Sequence, residues 1–317
     1  MQQSRKGNLS HSVRLSARRH IIQSVLDDSY RRVDINGADL AYIEQGTGAP
    51  LVCVHGAASD VRYLQPEVPA LAQRFRTIVY SRRYAWPNAA VNDGAADPIA
   101  QHVDDLAGLI RALDAAPAHV VGISLGGSIG LLFTVRHPDL VRTLILEDPA
   151  HWSIFTSIPP KPGDLLRLLL TRPGTLLMLL RFAASFNSMT AAVKRGEDEE
   201  AIRLLVNWAN GSDVYSQMPP ERKAQALANK ATWRAALLHT DPIGFGAADA
   251  LGIQKPTLLI TGERSPALFQ AVVRRLAELI PNSEVKVIPD ASHGMNWQNP
   301  GAVNAAILDF LARHPAA

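Results

Sequence analysis

Apolar positions along the chain fall into two rhythms, one alternating or continuous over four to six residues and one recurring every three or four. The first rhythm predicts strands. Arg32-Val33-Asp34-Ile35 and Ala38-Asp39-Leu40-Ala41-Tyr42-Ile43 flank Asn36-Gly37, a dipeptide that favours the positive φ angles of a tight hairpin turn. Short apolar runs follow at 51–54, 77–80, 119–123, 141–146, 257–260 and 285–288. The second rhythm predicts helices between them, near 63–73, over 99–114, 125–136 and 267–279, and from about 302 to 312. Ile99, Val103, Leu106, Leu109, Ile110 and Leu113 share one side of the second of these. Strands alternating with helices imply an α/β fold with a parallel sheet covered on both faces.

The pattern changes between residues 150 and 245. Helical spacing and several Pro/Gly breaks persist there, but no strand-like run does. A helical insertion between two sheet strands reads as a lid, giving a core of 32–149 and 246–317 and a lid of 150–245. Trp152, Trp208 and Trp233 lie in the insertion, where aromatic rings are expected to pack the lid on the core. Residues 165–186 form its most apolar stretch, yet Arg167, Arg172, Pro173 and Arg181 interrupt it, so no membrane span is expected.

Composition narrows the function classes. The 317 residues are 47% hydrophobic and 19% charged, enough for a sizeable buried core. The formal charge of +3 is uneven. Residues 1–32 carry Arg5, Lys6, Arg14, Arg18, Arg19, Arg31 and Arg32 against Asp27 and Asp28, a net +5, leaving the remainder at −2. The basic excess therefore belongs to a leading arm, residues 1–31, expected to be a tail, and nucleic acid is not an expected partner. Cys53 is the sole cysteine, inside Leu51-Val52-Cys53-Val54; it is expected to be buried and excludes an intrachain disulfide. A cytoplasmic setting fits.

Chemistry enters at Val120-Val121-Gly122-Ile123-Ser124-Leu125-Gly126-Gly127. An apolar strand precedes this run and a helix follows, the context of a nucleophile elbow, glycine-x-serine-x-glycine. A serine on so sharp a turn takes strained backbone angles, and only very small neighbours two positions away avoid a clash. The spacing is not that of a phosphate-binding loop, which needs Gly-x-Gly-x-x-Gly or a following lysine.

With this elbow the chain resembles the α/β-hydrolase fold family in its lid-bearing branch, from about Arg32 to the C-terminus. The resemblance implies a mostly parallel eight-stranded sheet and a catalytic triad in the order serine, acid, histidine. It implies an oxyanion hole at His55-Gly56-Ala57-Ala58-Ser59, with the amides of Ala57 and Leu125 as donors and His55 supporting the loop. It also implies the catalytic histidine in the loop Pro289-Asp290-Ala291-Ser292-His293-Gly294, making His293 the base. His119, His137 and His314, at strand or helix ends, are expected to be structural.

The acid departs from the family pattern. Members commonly carry aspartate three residues after the glycine that ends the penultimate strand, and here Gly262-Glu263-Arg264-Ser265 puts a serine there. A serine cannot supply the charge that stabilises an imidazolium. Some branches take the acid from the preceding strand, where this chain has Leu146-Glu147-Asp148-Pro149. Adjacent residues of an extended segment point opposite ways, so one of the two should face His293. Asp148 is the expected acid, with Glu147 and then Glu263 as alternates.

The chemistry so described is acyl transfer through Ser124 without a cofactor or metal, on a small-molecule ester or lactone, expected to be hydrophobic because the lid's apolar content would contact it. A carbon–carbon bond hydrolase acting on a diketone is an alternative with the same triad. A small-ligand-binding protein of the same fold is the alternative without catalysis. Oligomeric state is not legible in the chain.

Overall fold

A computed structural model describes residues 30–92, 94–239 and 244–315. The leading arm lies outside the described residues except for Tyr30 and Arg31, and Arg31 already belongs to the first strand. That strand, β1 (Arg31–Ile35), pairs antiparallel with β2 (Ala38–Gln45) around Asn36-Gly37, both at positive φ. The remaining strands are β3 (Pro50–Val54), β4 (Arg76–Tyr80), β5 (Ala118–Ile123), β6 (Val141–Glu147), β7 (Thr257–Gly262) and β8 (Ser283–Ile288). They form one eight-stranded sheet in the order β1-β2-β4-β3-β5-β6-β7-β8, in which β2 runs antiparallel to both its neighbours and all pairs from β4 to β8 are parallel.

Helices cover both faces, as continuous apolar strands require. On one face α2 (Ile99–Ala112), α3 (Leu125–Arg136), α10 (Ala247–Gly252) and α11 (Ala267–Leu279) pack against Val52, Val54, Val120, Leu144 and Leu146. On the other, α1 (Val68–Leu71), α12 (Met295–Gln298) and α13 (Pro300–Arg313) pack on Leu51, Cys53, Val121, Ile145 and Ile260. Cys53 is buried in this second layer, as its apolar setting predicts. The helix expected near 63–73 is instead a 3₁₀ turn, Val61–Leu64, and the single turn α1. Pro66 explains the break, since it lacks an amide proton and crowds the preceding turn, whereas Pro69 sits in the first turn of α1, which needs no donor there.

Between β6 and β7 the described residues contain no strand. They form a 3₁₀ turn (Trp152–Ile154), then α4 (Pro162–Thr171), α5 (Pro173–Lys194), α6 (Asp198–Asn210), α7 (Val214–Gln217), α8 (Pro220–Ala228) and α9 (Lys230–Leu238). Pro173 opens α5 rather than interrupting it, because the first helical position needs no donor. The resulting 22-residue helix is therefore, by length and composition alone, long enough to cross a membrane, which the interrupted sequence run did not suggest. The insertion has its own apolar cluster, in which Met189, Ala192, Val193, Ile202, Tyr215 and Trp233 close over Ala58 of the core.

The topology explains where a site can form. From β3 the chain moves to β4 on one side, then crosses to β5 on the other side of β3. Loops leaving the carboxyl ends of β3 and β5 thus diverge, and a crevice opens between them. Val54 and Gly122 are paired at that edge, so the segments that follow them start side by side.

Candidate active site

Ser124 stands between β5 and α3 with φ 53° and ψ −114°, outside the regions an L-residue ordinarily occupies. Such a conformation costs on the order of 1–3 kcal/mol and persists only where the surroundings impose it. They do so here: the Ser124 amide donates to the Glu147 carbonyl at 2.9 Å, and its own carbonyl accepts from Gly127 and from Ala150 of the next crossover. The small neighbours are sterically obligatory. A Cβ on Gly122 would lie 2.4 Å from the Gly126 carbonyl oxygen, and one on Gly126 would lie 2.1 Å from that of Val54. The elbow expected from the sequence is present in its geometry.

The loop after β3 lies against this serine. A Cβ on Gly56 would be 3.2 Å from Ser124 Cβ and 3.8 Å from its Oγ. Among the described residues the amides of Ala57 and Leu125 donate to no protein acceptor, and both residues are half-buried beside Ser124. His55 is fully buried and neutral, since burial and then the Arg82 charge hold its pKa well below the usual range. Its Nε2 accepts from the Arg82 amide at 2.9 Å, so Nδ1 carries the proton, which it directs at the Gly56 carbonyl 2.9 Å away. His55 supports the loop, as expected of it.

His293 follows β8, half-buried, with Nδ1 3.3 Å from Asp148 Oδ2. Asp148 is completely buried at the end of β6, at φ 40°, and accepts from Thr261 Oγ1 (2.6 Å) and Ser265 Oγ (2.5 Å). Ser265 is the residue at the position where the sequence pattern wanted an acid. It holds the carboxylate of Asp148 instead, and it in turn accepts from the Gly262 amide at 3.1 Å. Phe269, one helical turn further on, stacks on the imidazole at 4.3 Å with the planes 16° apart. Sequence reasoning missed Thr261 and Phe269; the spacing of Phe269, four residues after Ser265 on α11, was the available signal.

The two alternate acids go elsewhere. Glu263 is exposed and accepts from the Asp290 amide at 3.0 Å, fixing the turn before His293. Glu147 points to the opposite side of β6 from Asp148. There the Asn296 amide group donates to Glu147 Oε2 at 2.6 Å and to Glu67 Oε1, joining two fully buried carboxyls. Burial pushes the Glu147 carboxyl up to about 7, opposed by the Asn296 hydrogen bond and reinforced by the Asp148 charge; burial and then Glu147 raise Glu67 well above the usual range. A carboxyl raised in the folded state and normal in the unfolded chain stabilises folding fully only below the unfolded value, near ~4.3. That stability drains away as pH rises toward 7, because unfolding then releases a proton. Glu147→Gln should therefore raise the Tm, and by more at pH 8 than at pH 5. A pH-independent change in Tm would show that the pair carries no such linkage.

The insertion closes the site from above. Trp152, Phe182, Trp208 and Phe269 form a continuous aromatic wall, with centroids 4.3 Å apart for Trp152–Phe182, 5.0 Å for Phe182–Trp208 and 5.2 Å for Trp208–Phe269. Its last ring is the one stacked on His293. Trp233, by contrast, is buried within the insertion's own cluster. Buried polar ties help hold the insertion down. Asp60, fully buried, accepts from Asn229 (2.6 Å), Gln225 (3.3 Å) and Arg62 (2.6 Å), and Ser292 donates to Asn210 at 3.2 Å. His119 is buried against Thr143 at 2.9 Å, and His137 and His314 cap helix ends, all away from Ser124's loop as expected of structural residues.

Known proteins resemble this chain in sequence and share its fold. The chain is 27% identical to the 2-(acetamidomethylene)succinate hydrolase of Mesorhizobium japonicum, over 89% of this chain and 94% of the relative. It is 26% identical to the carboxylesterase YbfK of Bacillus subtilis, over 82% of this chain and 79% of the relative. In three dimensions it resembles a thermophilic esterase from Thermogutta terrifontis, with a TM-score of 0.68, 23% identity, and coverage of 90% of this chain and 100% of the other. The family model described as the alpha/beta hydrolase fold matches residues 49–300, from the strand before the His55 loop to the helix after His293, and the chain belongs to that family.

Proposed function

We propose that the protein is a serine hydrolase that cleaves a hydrophobic carboxylic ester or lactone through an acyl-enzyme. The observation that carries this reading is the buried Asp148 carboxylate within 3.3 Å of His293 Nδ1, at the same sheet edge as a serine held at φ 53°. Asp148 orients the imidazole and stabilises it when protonated, leaving Nε2 to take the Ser124 proton. Ser124 Oγ attacks the carbonyl carbon while the Ala57 and Leu125 amides hold the developing oxyanion; Nε2–H then protonates the leaving alkoxide. Water, deprotonated by the same imidazole, releases the acid. Removing one such oxyanion donor typically costs 10²–10³ in rate, about 2.7–4 kcal/mol of barrier.

The insertion acts as a lid, with α5 roofing the site rather than spanning a bilayer. Its aromatic wall beside His293 would take up an apolar acyl or alcohol group. The relative named as a carboxylesterase fits an ester substrate, and the one named as a hydrolase of a succinate derivative fits a small molecule. The buried, unreactive Cys53, its thiol pushed up by burial, suits a reducing cytoplasm.

Acyl-chain preference tests the reading. On 4-nitrophenyl esters from acetate to hexanoate, kcat/KM should rise with chain length, by at most about fourfold per methylene given ~0.8 kcal/mol per buried CH₂. Rates equal to buffer across the panel would favour a ligand-binding protein of this fold instead.

A further inference from the structure

The geometry points to Arg82 as a positioning residue for the oxyanion hole: its guanidinium orients and polarises the Gly56–Ala57 peptide so that the Ala57 N–H is a stronger, fixed donor. This rests on the serine-hydrolase reading above and extends it to a residue outside the expected triad and oxyanion donors.

Arg82 follows β4 and is 1% exposed, the largest fully buried side chain among the described residues. Burying a guanidinium is costly, and an apolar side chain of similar volume would fill the same space more cheaply. Its contacts are therefore informative. Nη2 donates to the Gly56 carbonyl at 3.0 Å, and Nη1 lies 3.0 Å from His102 Nε2. Asp97 Oδ1 sits 2.9 Å from that same His102 nitrogen, and its carboxylate supplies the counter-charge. The Arg82 backbone amide also sets the His55 tautomer, so the Gly56 oxygen accepts from a cation on one side and from His55 Nδ1–H on the other.

The Gly56 carbonyl and the Ala57 N–H belong to one planar amide. A hydrogen bond from a cation to the amide oxygen draws electron density from the nitrogen and strengthens the N–H as a donor; the low dielectric of a buried site enlarges the effect. The same two bonds fix the plane of the peptide, and hence the direction of its N–H. Gly56 packs so closely on Ser124 that a small rotation of this peptide would change the distance from Ala57 to the reacting carbonyl. A preorganised donor matters more as charge grows on the oxygen, so its loss should appear in kcat rather than in substrate binding.

The test compares wild type with Arg82→Gln, which keeps a polar side chain but removes the charge, and with Arg82→Lys. The probes are 4-nitrophenyl butyrate as substrate, butylboronic acid as a mimic of the anionic tetrahedral state on the serine, and butyrate as a ground-state ligand. For Arg82→Gln, kcat should fall roughly tenfold or more with KM within about twofold. The boronate Ki should rise in step with kcat/KM while the butyrate Ki stays unchanged, and Arg82→Lys should recover part of the lost rate. A purely structural role would move both inhibitors together. If Arg82→Gln does not fold, the double variant Arg82→Gln/Asp97→Asn removes the charge together with its partner and should show the same split.

An active, folded variant with unchanged kcat and boronate Ki overturns the role of Arg82 alone. So does one in which KM and butyrate Ki worsen as much as kcat. A wild type that hydrolyses no ester and binds no boronate overturns the serine-hydrolase reading itself.

Discussion

Ser124→Ala is expected to abolish hydrolysis of 4-nitrophenyl butyrate, lowering kcat by about 10⁴-fold or more while the Tm stays within a degree or two of wild type. The rate loss follows because no other group can form the acyl-enzyme, and removal of a triad nucleophile leaves only the catalysis supplied by the oxyanion hole and binding. Stability should hold because the substitution keeps the Cβ and removes one half-buried hydroxyl that serves no structural contact among the described residues. The backbone bonds that impose φ 53°, from the Ser124 amide to Glu147 and from Gly127 and Ala150 to the Ser124 carbonyl, are untouched. Stopped assays with purified variant against wild type read the first quantity and a thermal melt the second. A variant retaining a tenth of the wild-type rate would place the nucleophile elsewhere.

Asp148→Asn should cost almost as much, about 10⁴-fold in kcat, although the change is isosteric. Asp148 accepts three contacts at its two oxygens, from Thr261, Ser265 and His293. An asparagine can accept at only one of them, so its amide protons face a hydroxyl or the imidazole. The latter favours the tautomer with its proton on Nε2, the wrong nitrogen for a base. Glu263→Gln, in contrast, should stay within about twofold of wild type, because that carboxylate reaches a backbone amide and not the imidazole. The reverse pattern, a disabled Glu263→Gln and an active Asp148→Asn, would move the acid to Glu263.

The contrast between these carboxylates shows what the chain discloses locally and what it does not. The elbow was legible because its constraint is local: Gly122, Ser124 and Gly126 must occupy a fixed spacing between an apolar strand and a helix. The sheet was legible for the same reason, each strand being a short apolar run bounded by turn residues. Which carboxylate faces His293 was ambiguous, because the choice between Glu147 and Asp148 depends on which way the strand end turns. That is settled by Thr261 and Ser265 on the neighbouring strand and loop, more than 110 residues away in sequence.

Ser265 carried a half-signal. It marked the absence of an acid at the customary place without saying that its hydroxyl would hold the Asp148 carboxylate. The buried pair Glu67–Glu147 was hidden more deeply, since it is joined by Asn296, 229 residues from Glu67. Arg82 lay in a stretch that reads only as a polar loop, and nothing in the spacing of two adjacent arginines tells which one turns inward. One miss was avoidable. Pro66 was in plain view within the segment expected to be a helix near 63–73, and the structure breaks there.

Reaction of the intact protein with a fluorophosphonate, followed by mass mapping of the modified peptide, tests most directly whether Ser124 is an activated nucleophile. A single phosphonyl adduct on Ser124 is predicted, formed rapidly by wild type and slowed by orders of magnitude in His293→Ala. Folded wild-type protein that takes no label, or takes it on a residue other than Ser124, would contradict the account.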